Sequence, residues 1–413
     1  MLVLDAAELI TLRETSQSPV KGAGMREIGL IRDGALAIDR GKIVAVGRTS
    51  QVARTYRSDC VVDASGKTVM PGFIDCHTHL VFGGSREEDF ELKLRGLSYL
   101  EILRAGGGIL KTVRQTRIAT RSQLVENCLK TLDAMLHHGT TTVEAKTGYG
   151  LTVRDELRCL EVLREADRTH PVEIVKTFLG AHTVPPRYRA TPDKYVEVVT
   201  QHMIPRVAKA NLAEFCDVFC EKGVFNLAQS RRILKAALRY GLTPAVHADE
   251  LTQMGGAELA AEVGAASASH LVHASGRGLR MMAKRNVVAV LLPCSSFTMM
   301  SNKYADARRM IEAGVPVALA TDYNPNCLTE NMQAIMTLAA YKLRLTAAEA
   351  ITAATINAAH AIRRNREIGS IEPGKQADIV VLDAPSHRFL MYHLWVNLVD
   401  TVIKKGEIKH QES

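Results

Sequence analysis

Pro71-Gly-Phe-Ile-Asp-Cys-His-Thr-His79 decides how the rest of the chain is read. Phe73 and Ile74 open a short apolar run after a Pro-Gly pair, and His77 and His79 stand two residues apart at its far end. Along an extended strand such residues project to one side, so two imidazoles can reach one metal ion. A bare His-x-His also decorates solvated strand faces. The pair gains weight only if the chain repeats the pattern of an apolar strand ending in polar residues.

The pattern repeats. Candidate strands lie at 73–80, 140–146, 173–181, 214–220, 243–248, 267–272, 287–292 and 316–321. Amphipathic stretches separate them, among them Arg121–His137, Arg154–Thr169, Lys194–Lys209 and Gln229–Tyr240, and a last helix is expected near 346–363. Eight such alternations fit a closed (β/α)8 TIM-like barrel over residues 71–365 better than an open sheet. Both ends of the chain are different. Met1–Leu4, Leu36–Val46 with a turn at Asp39–Lys42, and Val61–Val69 read as strands, as do 369–383 and Leu398–Ile408. Residues 1–70 and 366–413 are therefore expected to pair into one small composite β-sandwich domain beside the barrel.

Composition agrees with one large domain and a smaller one. The 413 residues are 46% hydrophobic and 23% charged, ordinary values for a globular chain able to bury a large core. The net charge of +8 is spread without a block of like charges, which argues against a nucleic-acid arm but allows a basic mouth for an anionic substrate. No apolar run reaches the roughly 18 residues of a membrane helix. Eight cysteines are scattered without a CxxC pair, and Cys216 and Cys220 fall in an apolar run as core thiols. Free thiols and no signal peptide lead us to expect a reducing cytoplasm.

Function in such a barrel gathers at the C-terminal ends of the strands. The exits carry His77 and His79, Glu144 to Tyr149, His182, Cys220-Glu221, His247 to Glu250, His270, and Asp322 to Asn324. Any one of these is unremarkable as a buried or loop residue; ionisable groups at exit after exit are how a barrel active site is built. His77, His79, His247 and Asp322 make a set of three imidazoles and one carboxylate that suits zinc or iron with a position left for water. Such an ion lowers the pKa of water to about 7 and polarises a carbonyl. Asp322 is also placed to accept a proton. Glu250, three residues past His247, is a candidate proton shuttle, and His270 a candidate base, water orienter or oxyanion donor. A two-metal site wants a lysine at the fourth exit, where this chain has Cys220-Glu221, so one metal is expected.

The substrate side is read from fewer residues. Arg86 is a candidate fork for a carboxylate; its plainer reading is a surface arginine paired with Glu87 or Glu88. Tyr149 and His182 are candidates to stack on or donate to a small polar ring. Gly106-Gly-Gly108 reads as a turn or lid hinge, since it lacks the Lys-Ser/Thr of a phosphate loop.

These stretches together resemble the amidohydrolase superfamily and, within it, the imidazolonepropionase family. The resemblance runs through 71–84 with Arg86, Ala105-Gly-Gly-Gly-Ile109, Thr140–Leu151, Phe178-Leu-Gly-Ala-His182, Asp217-Val-Phe-Cys-Glu221, His247-Ala-Asp-Glu250, Gly255-Gly-Ala257 and Thr321-Asp-Tyr-Asn-Pro325. His-x-His and Asp322 mark only the superfamily; Lys146–Leu151 and Phe178–His182 are more specific. The resemblance implies hydrolysis of 4-imidazolone-5-propanoate to N-formimidoyl-L-glutamate in histidine degradation, in a cytoplasmic and often dimeric enzyme with one zinc or iron ion. It implies metal ligation by His77, His79, His247 and Asp322, a catalytic pair in Glu250 and His270, and substrate contacts from Arg86, Tyr149 and His182, with Arg86 on the propionate. Asn324 and Asn326 fall at further substrate or product contacts, and Tyr99 is a further candidate for the carboxylate. Two positions depart from the family: Ser269 stands where Asp is common, and Asn326-Cys327 where Gly-Ser is usual, so Cys327 offers a poorer donor at the propionate end. The competing expectations are a deaminase or amidohydrolase of another small heterocycle, such as cytosine or guanine, and a barrel kept as a non-enzymatic scaffold.

Overall fold

The computed structural model describes residues 1–13, 17–97, 101–102 and 106–412. Five strands precede the barrel: β1 (Leu2–Ile10), β2 (Leu30–Asp39), β3 (Lys42–Arg48), β4 (Val61–Asp63) and β5 (Thr68–Pro71). The barrel strands are β6 (Phe73–Thr78), β7 (Thr140–Lys146), β8 (Glu173–Ala181), β9 (Phe215–Cys220), β10 (Thr243–Ala248), β11 (Ser267–His270), β12 (Val288–Leu291) and β13 (Val317–Leu319). Three more follow: β14 (Ile379–Leu382), β15 (Val399–Lys404) and β16 (Glu407–Gln411).

Strands β6 to β13 pair in sequence order and in parallel. Helices cover them outside, which is why nearly every strand position is buried and the runs are apolar throughout rather than alternating. The seam between last and first strands is closed by Asp322 N donating to His77 O (3.1 Å) and His79 N donating to Tyr323 O (2.8 Å). Beneath it, Asp75 accepts from Thr321 Oγ1 at 2.5 Å and from Thr321 N at 3.1 Å. Burial pushes this carboxyl up to about 7 against the Thr321 hydrogen bonds. Barrel closure and the placement of His77, His79 and Asp322 are thus one structural event.

The strands from the two ends form one mixed sheet in the order β16-β15-β14-β5-β1-β2-β3, with β4 beside β1. Its interior holds Val3, Leu9, Leu36, Ile43, Val69, Ile379, Val381 and Ile403. The structure has the expected barrel with a smaller β unit drawn from both ends, and the terminal strands, expected as a β-sandwich, are joined in one eight-stranded sheet.

Two expected helices are broken. The 194–209 stretch is a helix over Pro192–Glu197, a wider π turn over Val198–Met203 and a helix over Ile204–Lys209. Pro205 lacks an N–H and crowds the carbonyl one turn back, which the wider turn relieves. The 346–363 helix splits into Ala347–Ala354 and Ile356–Ala361 at Thr355, whose φ of −130° and ψ of −94° are not helical. Gly106 to Gly108 lead into the helix Ile109–Ile118, where Gly108 N donates to Asp89 Oδ2 (2.7 Å). All eight cysteines are free thiols. Among the described residues no helix is long and apolar enough to cross a membrane.

Candidate metal centre and active site

His77, His79 and His247 arrive from β6, its exit and β10, and their ligand nitrogens lie within 4.8 Å of one another in full burial. His247 Nε2 faces His79 Nε2 at 3.4 Å, and both His77 Nε2 and His79 Nε2 are 3.6 Å from Asp322 Oδ1. The opposite nitrogen of His77 is hydrogen-bonded, and that of His247 stands at ion-pair distance from a carboxylate. His77 Nδ1 meets Ser269 Oγ at 2.8 Å, and His247 Nδ1 lies 3.0 Å from Asp217 Oδ2. Each of these two rings therefore turns Nε2 inward, and His77 Nε2 is buried without a hydrogen-bond partner. Burial holds His77 and His79 well below the usual imidazole range, helped by Lys146 at His77 and by His182 at His79. Imidazole nitrogens aimed at one point beside a carboxylate are the donor set a zinc or iron ion requires. These residues fit a single metal ion.

Glu250 and His270 stand beside this cluster, with His270 Nδ1 3.6 Å from Glu250 Oε1. Burial raises Glu250 to about 8, and the Asp322 and Glu221 carboxylates add to it. Asp322 is itself raised to about 6, chiefly by burial, against the pull of His247. Two neighbouring acids with separated proton affinities are suited to ligation by one and proton transfer by the other.

The loop that carries Glu250 is held by carboxylates below it. Glu221 accepts from Leu251 N (2.9 Å), Thr252 N (3.3 Å) and the Thr252 hydroxyl. Asp249 accepts from four successive amides, Met254 to Ala257. Glu221 is thus a clamp for the next loop rather than a metal ligand.

Tyr149 is buried and His182 nearly so; they meet at a ring separation of 5.2 Å, and His182 stacks on His79 at 4.8 Å. Burial, with His247 and Arg86 nearby, pushes His182 down to about 3, so it stands neutral. Gly148, at φ +117°, lets the turn pass against His182: a Cβ there would lie 2.8 Å from His182 Nδ1. Arg86 donates from Nε to Thr112 Oγ1 (2.8 Å), and no carboxylate among the described residues lies within ion-pair distance of it. Glu88 pairs instead with Lys111 at 2.6 Å.

The residues after Asp322 turn their polar groups on each other. Asn324 Nδ2 donates to Asp322 O (2.7 Å) and its Oδ1 accepts from Asn326 N (2.8 Å). Asn326 Oδ1 accepts from Lys93 Nζ at 3.2 Å. Cys327 is fully buried, its thiol 3.5 Å from Thr321 O and next to Cys294. Tyr99 lies outside the described residues.

Sequence reasoning passed over Asp217 as a partner of His247, Ser269 as the anchor of His77, and the Lys146 ammonium between Glu144 and Asp217. The available signal was a carboxylate inside Phe-Cys-Asp-Val-Phe-Cys and a lysine inside an all-buried strand, since such charges need partners.

A family model described as "Amidohydrolase family" matches residues 68–409. The chain is 49% identical over 411 residues to an imidazolonepropionase of Alkaliphilus metalliredigens, covering 99% of this chain and 97% of that one. It is 50% identical over 413 residues to an imidazolonepropionase of Geobacillus kaustophilus, covering 99% and 97%. In fold it is similar to Escherichia coli guanine deaminase, with a TM-score of 0.76 at 17% identity over 100% of this chain and 99% of that one. A zinc-bound adenosine deaminase from Xanthomonas campestris gives a TM-score of 0.72 at 20% identity, covering 99% and 92%.

Proposed function

The chain belongs to the amidohydrolase family, among the imidazolonepropionases, and from that premise we propose that its site opens the ring of 4-imidazolone-5-propanoate by hydrolysing a cyclic C–N bond. The product is N-formimidoyl-L-glutamate. The observation that carries the reading is the buried cluster of His77, His79 and His247 with Asp322 against it. In this reading these four residues hold one zinc or iron ion. When bound, that ion supplies Lewis-acid activation of water and of the ring carbonyl.

The chain's own residues do the rest. Arg86 binds the propionate carboxylate in a charge-assisted fork. Tyr149 and the neutral His182 hold the ring from the opposite side. Glu250, in its ionised form, takes the proton of the attacking water and returns it to the leaving ring nitrogen; its raised proton affinity favours the accepting step. His270, buried and neutral at 3.6 Å from Glu250, orients that carboxylate and donates toward the developing oxyanion. Asn324 and Asn326 fix the loop that presents Asp322, and Cys327 packs behind it. Tyr99 remains a further proposed contact for the carboxylate. A deaminase of another heterocycle would leave the carboxylate-free Arg86 without a ligand, which disfavours that alternative.

Metal analysis together with an assay that follows the ultraviolet absorbance of imidazolone propionate tests the proposal. One equivalent of zinc or iron and turnover are expected. Metal without turnover would remove the substrate assignment, and turnover without metal would remove the mechanism. We also propose a homodimer in a reducing cytoplasm; sedimentation of the purified protein and cell fractionation check both.

A further inference from the structure

The barrel interior contains a charged relay that the proposed chemistry does not use. Glu144 and Lys146 sit two apart on β7 and so point the same way, into the barrel. Lys146 Nζ is 2.7 Å from Glu144 Oε1 and 3.0 Å from Asp217 Oδ2. Asp217 Oδ2 is in turn 3.0 Å from His247 Nδ1, while its Oδ1 accepts from His247 N (3.1 Å) and Val218 N (2.6 Å). Every member is at least 97% buried. A lysine fully enclosed on a barrel strand is costly unless it is needed as a charge, because an apolar side chain would fill the same space more cheaply.

We propose that Lys146 is a positioning residue for the metal centre, holding Asp217 as the fixed anionic acceptor that orients His247 and strengthens it as a ligand. This rests on the reading that His77, His79, His247 and Asp322 bind a metal. The physics is that of a carboxylate behind a metal-bound imidazole: it selects the tautomer, fixes the ring and makes the inward nitrogen a better donor. Asp217 alone would be a carboxylate buried at its 0% exposure with only backbone amides and one ring nitrogen to hold it. The ammonium fixes both its charge and its orientation, and Glu144 keeps the ammonium from turning away. His77 is treated differently, with the neutral Ser269 hydroxyl at its Nδ1. The relay therefore makes His247 the most electron-rich of the three imidazoles.

The test is zinc affinity, measured by competition with a chromophoric chelator, for the full-length parent, K146M, D217N and the double variant. The urea midpoints of the metal-free proteins serve as the folding control. K146M and D217N are each expected to weaken zinc binding about 10–100-fold. The double variant should fall within about twofold of D217N alone, because Lys146 acts through Asp217. K146Q, which keeps donor groups without the charge, should lose affinity like K146M and carries the comparison if K146M does not fold. Parent-like zinc affinity in K146M or K146Q, or losses that multiply in the double variant, would overturn the proposal. A parent that binds no zinc or iron would overturn the metal reading beneath it, a result distinct from the other two.

Discussion

Arg86 is the single side chain on which the proposed carboxylate grip rests. Its sequence neighbours Glu87 and Glu88 offered an ordinary surface ion pair, yet Glu88 is taken by Lys111 and, among the described residues, Arg86 keeps only a neutral bond to Thr112. A guanidinium left without a carboxylate at the mouth is consistent with one supplied by the substrate. R86A is expected to raise KM for imidazolone propionate about 10–100-fold, the value of one charge-assisted contact, with kcat within a few-fold of the parent. An equal loss in kcat would mean that Arg86 acts on the transition state instead, and steady-state kinetics separate the two. Glu250 is the complementary case. E250Q keeps its shape and its contact with His270 but cannot carry the proton, so kcat should fall about 10²- to 10⁴-fold while metal content stays at the parent level. H270N should cost less, because it removes an orienting donor and leaves the proton carrier in place. If H270N proves the more damaging in kcat, the roles are exchanged.

At the scale of elements, the strand spans were legible because buried parallel strands leave a continuous apolar run, and Thr140–Lys146, Glu173–Ala181 and Thr243–Ala248 coincide with the runs that announce them. The loops were less legible, because their shape depends on groups far along the chain. Glu221 closes β9 in the sequence, but its carboxylate holds Leu251 and Thr252, thirty residues on, and so sets where Glu250 points. Nothing local to Glu221 announces that task. The Ser269–His77 contact is of the same kind, joining β11 to β6 across the closed barrel, while Asp217 meets His247 from the neighbouring strand, thirty residues away in sequence. E221Q loses the negative charge while keeping the size. It is expected to lower kcat about 10-fold or more by loosening the loop, with zinc affinity unchanged, since His247 is held separately by Asp217. The split between kcat and metal affinity is the diagnostic: a variant that loses both would show that loop and metal ligand move as one body.

Across the whole molecule, catalysis and cohesion occupy opposite ends of the barrel. The candidate site uses strand exits, whereas the sheet from the two ends of the chain grips the strand entries. Lys404 of β15, almost wholly buried, reaches Glu173 at the start of β8 and Asp378, each at 2.7 Å, and Lys405 meets Glu173 at 2.9 Å. The two ends could be read as β-rich from their own sequence, but this junction could not, because Glu173 lies over 200 residues from Lys404 and Lys405. Burial alone would raise Glu173; the Lys404 ammonium, with hydrogen bonds from Lys404, Lys405 and Gln376, outweighs it and holds the carboxylate at about 2, below its ordinary value of 4.5. A carboxyl whose folded pKa is depressed stabilises the fold above its unfolded pKa and loses that contribution as pH falls toward the folded value. The window here is therefore pH 4.5 down to about 2. With its side chain 38% exposed, screening reduces the contribution at pH 7 to about 1–2 kcal/mol. E173Q should accordingly unfold at lower urea than the parent at pH 7, and the two curves should converge as the pH falls from 4.5 toward about 2. Removing this charge leaves the strand exits untouched, so E173Q should retain the parent's kcat and KM at pH 7. A stability gap that persists unchanged into acid would show that packing around Glu173, and not its charge, fastens the sheet to the barrel.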